Sequence, residues 1–407
     1  MLYRTRLITE LHSRREEFVS FGQTLRGEVR EASARLRALA AEGSVAVRER
    51  VEAAGAERVS YPSAEMDVAN DVAVAFGPRW RSHEEARAWA AATLRGRTTF
   101  AADGSQIYPG REVSLPVAAV QIASFENPHT PDGAYTKEAH FKIITPGELQ
   151  ESGRVYDSPE QVVNSRRFEL EAAALRDFVE RRRGWQERGE RAPVAFLDGT
   201  LLFSPFRKGS EDTFSKRQAA AAAGLVAASR EARVPVVGYV DHSYAPDLCR
   251  ALEAFHPDAA QTGAYDAQIL RAPARDGGVA PLLAAWGDRT VFWHCRRPNL
   301  SADFYDERGN PLVGFVYLQT TAGGNPARVE IPAWVYEAGL LEDVVDAVRA
   351  ECVVGNGYPY AVETADAAAA MTTRDREQFL RVMQDFADEH RFDFRISRKP
   401  MSKSRRR

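Results

Sequence analysis

Two short stretches of the chain share one grammar. FAADGSQ (residues 100–106) and VAFLDGT (residues 194–200) each run from apolar residues into an aspartate, then a glycine, then a hydroxyl residue. An apolar strand carries each carboxylate, Asp103 or Asp198, to its end, and the glycine lets the backbone turn or approach a ligand closely. Two carboxylates ending neighbouring strands of one sheet can converge on one point. Hard divalent cations take such oxygen ligands, and Mg²⁺ or Mn²⁺ held by few of them keeps positions open for water and phosphate. Two such ions, about 3.5–4 Å apart, can orient a water nucleophile and stabilise the leaving oxygen of a phosphodiester. Asp-Gly is also a common turn dipeptide, so either copy alone reads equally as a turn. The repetition of the whole pattern is what points to a site.

LDGTLLF has a superficial likeness to the DxDGT motif of haloacid dehalogenase phosphatases. That chemistry needs a nucleophilic Asp two residues before the second one, and here the position is Phe196, which cannot attack phosphate. A third carboxylate for a metal site has to come from elsewhere. Arg167 and Glu171 lie one helical turn apart on one face, a spacing that also suits an ordinary surface ion pair. Glu169 points about 160° away around the same helix and cannot serve the same site. The block GYPYAVETADAAAA (residues 357–370) places Tyr358 and Tyr360 around Pro359, an extended entry into an alanine-rich helix that bears Asp366. The tyrosines could stack on a base or fill the core. Asp366 could favour the start of a helix beginning near Thr364, or the alanines around it could let the helix pack closely and bring the carboxylate to the site.

The elements that must position these residues follow from periodicity. From Thr5 to about Ala56 the chain reads as one or two long amphipathic helices, with Gly43 weakening the case for a single one. A further helix spans His83 to Leu94. TTFAADGSQIY, LPVAAVQIASF and HFKIITP read as three successive strands. A helix is expected from Glu160 to about Arg183, then the strand VAFLDGT, a helix through Ala219–Arg230, and the strand PVVGYV. TVFWHC, LVGFVYLQT and ARVEIPAWV read as strands, and Leu340–Ala350 and Thr364–Glu389 as helices. Three strands followed by alternating helices and strands predict a mixed sheet flanked by helices, an α/β fold. RISRKPMSKSRRR is basic and breaker-containing, and is expected to be a mobile tail. The expected division is a helical region over 1–96, a sheet-bearing domain over 97–392 and a basic tail over 393–407.

Composition narrows the function classes. Of 407 residues, 44% are hydrophobic and 27% charged, with a formal net charge of −3. The chain can bury a core, and a nucleic-acid surface on it would be local rather than global. Cys249, Cys295 and Cys352 have no CxxC spacing, which argues against a disulfide framework or a structural zinc and for buried small hydrophobes. The histidines, among them His129, His140, His242 and His294, show no HxH or HExxH spacing, and no G-x-S-x-G elbow is present. No apolar run is long enough to span a membrane, so the expectation is a cytoplasmic, nucleoid-associated protein.

Four blocks in order, FAADGSQ, the Arg167-to-Glu171 helix, AFLDGTLL and GYPYAVETADAAA, resemble the NurA nuclease family, from about Thr98 to about Arg376. The resemblance implies an RNase H-like core, Mn²⁺-dependent 5′-to-3′ exonuclease activity on DNA and endonuclease activity on single strands. It also implies a homodimer that works with a hexameric HerA-type ATPase in DNA end resection and double-strand break repair. By motif matching, Asp103, Glu171 and Asp198 take the family's metal-binding acidic positions, and Tyr358 takes the tyrosine of its YP motif. Where archaeal members carry a histidine eight residues later, this chain has Asp366, and a carboxylate can bind the same hard cation. The expected ligands are therefore Asp103, Glu171, Asp198 and Asp366, around two Mn²⁺ or Mg²⁺ ions, with Asp241 of GYVDHS in reserve. Tyr358, Arg395, Arg398, Lys399 and Lys403 are expected to contact DNA, the basic ones through its backbone. Two other readings use the same residues: a non-catalytic DNA-end adaptor that loads or stimulates a motor ATPase, and an RNase on the same fold. Paired carboxylates near phosphate weaken binding unless a metal sits between them, which argues against the adaptor.

Overall fold

The computed structural model describes residues 3–53, 58–150, 159–203, 213–255, 263–271 and 280–397. Arg398, Lys399 and Lys403, expected to bind DNA, lie outside the described residues. The chain forms two compact units. One holds Met1–Arg79, Val240–Pro298 and Val313–Ala333, the other Trp80–Tyr239, Asn299–Leu312 and Trp334–Arg407. This is not the linear division expected from the sequence: the helical start shares its unit with two later segments, and the sheet region is shared between both units.

In chain order the elements begin with α1 (Arg4–Ser13), α2 (Arg15–Ala40), α3 (Ser44–Ala53), β1 (Tyr61–Pro62), α4 (Glu65–Ala69), β2 (Ala73–Val74) and α5 (His83–Leu94). Then come β3 (Thr99–Ile107), β4 (Ala118–Asn127), β5 (Thr136–Ile144), α6 (Pro146–Gln150), α7 (Pro159–Arg181), β6 (Val194–Asp198), α8 (Thr213–Ala232) and β7 (Val236–Val240). The remainder is α9 (Asp247–Phe255), α10 (Asp266–Leu270), β8 (Arg289–Thr290), β9 (Trp293–His294), β10 (Val313–Leu318), β11 (Ala327–Pro332), α11 (Ala333–Glu337), α12 (Leu341–Val354), α13 (Tyr360–Ala369) and α14 (Thr373–His390).

In the unit that begins at Trp80, β3, β4 and β5 are two successive antiparallel hairpins, with Asp103 opposite Ala123 and Ala123 opposite Ala139. On its other side β3 pairs with β6 in parallel, Ala102 opposite Leu197, and β6 pairs with β7 in parallel. The order is β5-β4-β3-β6-β7, and of these strands β4 alone runs against the rest. This is the RNase H-like arrangement, a mixed sheet flanked by helices. The two faces follow from the period of two along a strand. Ile122 packs with Val162 and Val163 of α7, so the even residues of β4 face that helix. On the other face Gln121 Nε2 donates to Ala369 O at 3.1 Å, and Met371 N–H donates to Ser105 Oγ at 3.2 Å. α13 therefore lies over the face that carries Asp103 and Ser105.

The other unit is built on the antiparallel pair β10 and β11, with β8 and β9 along the far side of β10 and β2 and β1 paired to them. Its helix α2 buries Val29, Ala32, Leu36 and Leu39, whereas α1 buries nothing.

Several elements depart from expectation for visible reasons. The long N-terminal helix breaks after Ala40, where Gly43 takes a left-handed conformation (φ 83°) and Asp67 accepts from the N–H of Ser44. TVFWHC divides into β8 and β9: the Tyr317 N–H donates to the side-chain oxygen of Thr290 at 2.9 Å instead of to a backbone carbonyl. The helix expected over Thr364–Glu389 is two helices. α13 starts earlier, behind Pro359, and α14 starts anew with a capping box between Thr372 and Asp375. The expected mobile tail is tied down over its first residues. Ile396 bridges to Val113, and Arg395 exchanges hydrogen bonds with Ser114. The reason is apolar: Phe394 is buried beside Phe379 and Met383, with Ile396 packed against the same cluster.

Candidate metal centre

β3 and β6 bring the two aspartates of the repeated pattern side by side. Ala102 is paired in parallel with Leu197, so Asp103 and Asp198 are the next residues along two adjacent strands and share the face toward α13. Asp198 is the last residue of β6, and Gly199 after it has φ 119°, a backbone state that suits glycine and turns the chain away. Phe196, the residue that excludes the phosphatase reading, is fully buried.

Glu171 reaches the same place from the opposite face of the sheet. It is 5% exposed on α7, and Gly104 is what admits it. A Cβ at position 104 would stand 2.6 Å from Glu171 Oε1 and 2.7 Å from Arg167 Cγ. The glycine after Asp103 thus makes room for a carboxylate. Glu169 turns away, bonded to Ser165 at 3.1 Å and Arg166 at 3.0 Å.

The fourth carboxylate, Asp366, hydrogen-bonds to Asp103. It is the seventh residue of α13, since that helix runs Tyr360–Ala369. A helix-start role is therefore excluded, because so late in the helix a negative charge is not favoured by the dipole. Tyr358, just before α13, donates its hydroxyl to Asp198 Oδ1 at 2.5 Å and packs edge-on against Tyr239. Of the residues expected to bind DNA, Tyr358 thus stands among the carboxylates. Arg395 stands apart on the C-terminal segment, its Nε 2.8 Å from Asp393. Asp241 falls in the other unit, where its carboxylate pairs with His242 Nδ1 at 2.6 Å.

The electrostatics of the cluster reflect burial first and the crowding of like charges second. Burial, then the charges of Asp198 and Asp366, push Asp103 up to about 6, against the pull of the Gly104 N–H. Burial pushes Glu171 up to about 8, with Asp103 and Asp198 adding to it and the Arg167 guanidinium opposing it. Arg167 Nη1 donates to Gly104 O at 2.9 Å, and its Nε lies 3.5 Å from Glu171 Oε1. Neither of those last two atoms has a hydrogen-bond partner among the described residues.

A buried carboxylate oxygen with no donor, beside three more carboxylates, is a donor set of the type that hard divalent cations take. Among the described residues no three His, Cys, Asp or Glu side chains stand in an arrangement that would hold an ion as they are. A divalent cation among these side chains would offset the repulsion between their charged forms.

One contributor has no sequence signal. Glu351 of α12 is buried, and its Oε2 accepts the Ala361 N–H at 2.9 Å, at the first turn of α13. It fixes the start of the helix that carries Asp366. Neither spacing nor composition marks that glutamate in ECVVGNGYP. The three cysteines are buried thiols outside any disulfide among the described residues, and no helix of the described residues is long and apolar enough to cross a membrane.

No curated protein matches the chain. Among solved structures, NurA bound to dAMP and manganese is similar to it with a TM-score of 0.42 and 10% identity, over 72% of this chain and 88% of that one. NurA with manganese is similar with a TM-score of 0.39 and 9% identity, over 72% of this chain and 89% of that one. The catalytic domain of human endonuclease V follows with a TM-score of 0.29 and 14% identity, over 74% of this chain and 96% of that one. The NurA domain profile matches residues 97–371, the stretch that carries all four carboxylates, and the chain belongs to the NurA family of nucleases.

Proposed function

We propose that this chain is a divalent-metal-dependent deoxyribonuclease whose centre is Asp103, Glu171, Asp198 and Asp366. The observation that carries the reading is the meeting of these carboxylates from β3, α7, β6 and α13, with Glu171 Oε1 buried and, among the described residues, accepting no hydrogen bond. Mn²⁺, with Mg²⁺ as a substitute and two ions as the expected number, supplies charge stabilisation and an activated water when bound. The four carboxylates hold that charge beside the phosphodiester. Tyr358 keeps Asp198 oriented through its hydroxyl. Glu351 keeps α13 and therefore Asp366 in place.

Family membership supports finer expectations: 5′-to-3′ exonuclease action, single-strand endonuclease action, and work as a homodimer with a HerA-type hexameric ATPase in end resection and double-strand break repair. The chain has no G-x-x-x-x-G-K-[ST] loop of its own for nucleotide hydrolysis, which supports dependence on a separate motor. Leu7, Ile8, Leu11, Phe18, Val19 and Phe21 are all exposed along α1 and the start of α2, which supports a protein partner there. The test is end-labelled single- and double-stranded DNA and RNA, incubated with Mn²⁺, Mg²⁺ or EDTA. DNA cleavage with Mn²⁺ that stops in EDTA is the expected result. Cleavage unaffected by EDTA, or of RNA alone, overturns the reading.

A further inference from the structure

Arg167 is the cation that faces the buried carboxylate of this centre. It lies one turn before Glu171 on α7, so the two side chains share a helix face. Its stem packs where a side chain on Gly104 would otherwise be, and one of its five N–H donors is spent on Gly104 O at 2.9 Å. The contact with Glu171 is loose: 3.5 Å from Nε to Oε1, with neither atom in a hydrogen bond among the described residues. The side chain is 34% exposed while that of Glu171 is 6% exposed. The guanidinium therefore sits at the rim of the centre, with its charge directed at a buried oxygen and its outer edge open.

A closed salt bridge, often bidentate for arginine and a carboxylate, would hold that oxygen in a hydrogen bond. This one leaves the carboxylate oxygen available to another cation and leaves donors available to another anion. We propose that Arg167 is a displaceable partner of Glu171: it faces that carboxyl oxygen while the centre holds no ion, competes with the divalent ion for it, and once released contacts a phosphate of the substrate strand. The inference rests on the metal-dependent reading above. It makes Arg167 a positioning residue for Glu171 in one state and a substrate contact in the other. Metal binding and phosphate binding become linked through one side chain, so each favours the other.

The sign of one measurement separates this from a scaffolding role. Arg167→Gln keeps a polar side chain near Gly104 O and removes the charge. Mn²⁺ binding to the full chain without nucleic acid, followed by calorimetry at fixed pH, is expected to tighten by about three- to tenfold, because a competing cation is gone. Binding of a fluorescent single-stranded oligonucleotide, with Ca²⁺ in place of Mn²⁺, is expected to weaken by about five- to thirtyfold. Arg167→Lys, which keeps the charge, is expected to return the Mn²⁺ affinity to near that of the parent chain. Weaker or unchanged Mn²⁺ binding in Arg167→Gln, with a melting temperature like the parent's, overturns the proposal and leaves the metal centre standing. A parent chain that binds no Mn²⁺ overturns both. If Arg167→Gln fails to fold, an Arg167→Lys chain that folds but binds Mn²⁺ more weakly than the parent overturns the displaceable-partner role.

Discussion

Among the described residues each unit gathers a cluster of acidic residues, and the two are built on opposite plans: Asp247, Asp266 and Glu330 are all buried in one, whereas in the other Glu171 is buried and Asp198 and Asp366 are exposed. In the unit that contains β10 and β11, Asp247 receives Arg297 at 2.7 Å and Arg328 at 2.9 Å, and Glu330 receives Arg328 at 2.8 Å. Asp266 accepts the N–H groups of Leu248 and Cys249 and the hydroxyl of Tyr317. The Arg328 guanidinium lies 3.7 Å from the ring centroid of Phe315. Arginines and donors surround that cluster: Asp247 is held low by Arg328 and Arg297 against the cost of burial, while burial and then the Asp247 charge push Asp266 up to about 6. In the other unit four carboxylates share one loosely held guanidinium, and Asp103 and Glu171 are pushed up. The first plan ties α9, α10, β10 and β11 together and leaves nothing for a ligand. The second is short of positive charge, and that shortage is what a divalent ion would fill. Buried acids alone do not mark a site; the partners around them decide.

The comparison predicts that the two clusters fail differently. Asp103→Asn and Asp198→Asn are each expected to lower cleavage by on the order of a thousandfold or more, since an amide cannot supply the charge that holds the ions. Their melting temperatures should be unchanged or slightly higher, because like-charge repulsion is relieved. Cleavage assays beside melting curves check both parts, and near-normal rates in either variant would remove the metal assignment.

The arginine-filled cluster should show the reverse. Arg328→Met strands Asp247 and Glu330 in the interior and is expected to cost about 3–5 kcal/mol of stability. Denaturant unfolding reads that loss. A variant as stable as the parent would mean that the network is not the structural tie described here.

A subtler difference lies in pH. Asp103 and Glu171 sit above their unfolded values of roughly 3.9 and 4.3, at about 6 and about 8. Between those limits the folded chain holds more protons than the unfolded one, so these two groups make the metal-free chain less stable as pH rises from about 4 to about 8. A bound divalent ion displaces those protons, and its stabilising effect should grow over the same window. Melting temperature against pH, with Mn²⁺ and with EDTA, should give curves that diverge toward the alkaline side. They should diverge less for a chain carrying both Asp103→Asn and Glu171→Gln. Parallel curves for the parent chain would contradict the account.

The smallest expected effect is at Asp366, an exposed contributor. Asp366→Ala should weaken Mn²⁺ binding so that activity partly recovers at raised Mn²⁺. Activity equally low at every Mn²⁺ concentration would show that Asp366 acts through something other than the ion.

Much of this centre was legible in the sequence because its parts are local. Strand, Asp, Gly and hydroxyl are contiguous, so both aspartates could be placed on strands, but only Asp198 ends one: Asp103 is the fifth of the nine residues of β3, whose pairing runs on through Gly104. The helical period separates Glu171 from Glu169. What stayed hidden depends on contacts between distant segments. That Gly104 serves Glu171 shows only when α7 lies over β3. That α13 begins at Tyr360 depends on Glu351, ten residues before the Ala361 N–H that it caps. The break between α13 and α14 did have a local signal, the Thr372–Asp375 capping box, masked by the run of alanines before it. The division into two units could not be read from the chain order, because each unit is assembled from three separate segments.

The central claim is that the four carboxylates hold a divalent ion, and diffraction at the manganese absorption edge from Mn²⁺-soaked crystals tests it most directly. The account predicts an anomalous peak between Asp103 and Asp198 with Glu171 turned toward it, lost in Asp103→Asn. Crystals that cleave DNA when dissolved, yet show no peak at these residues, would contradict it.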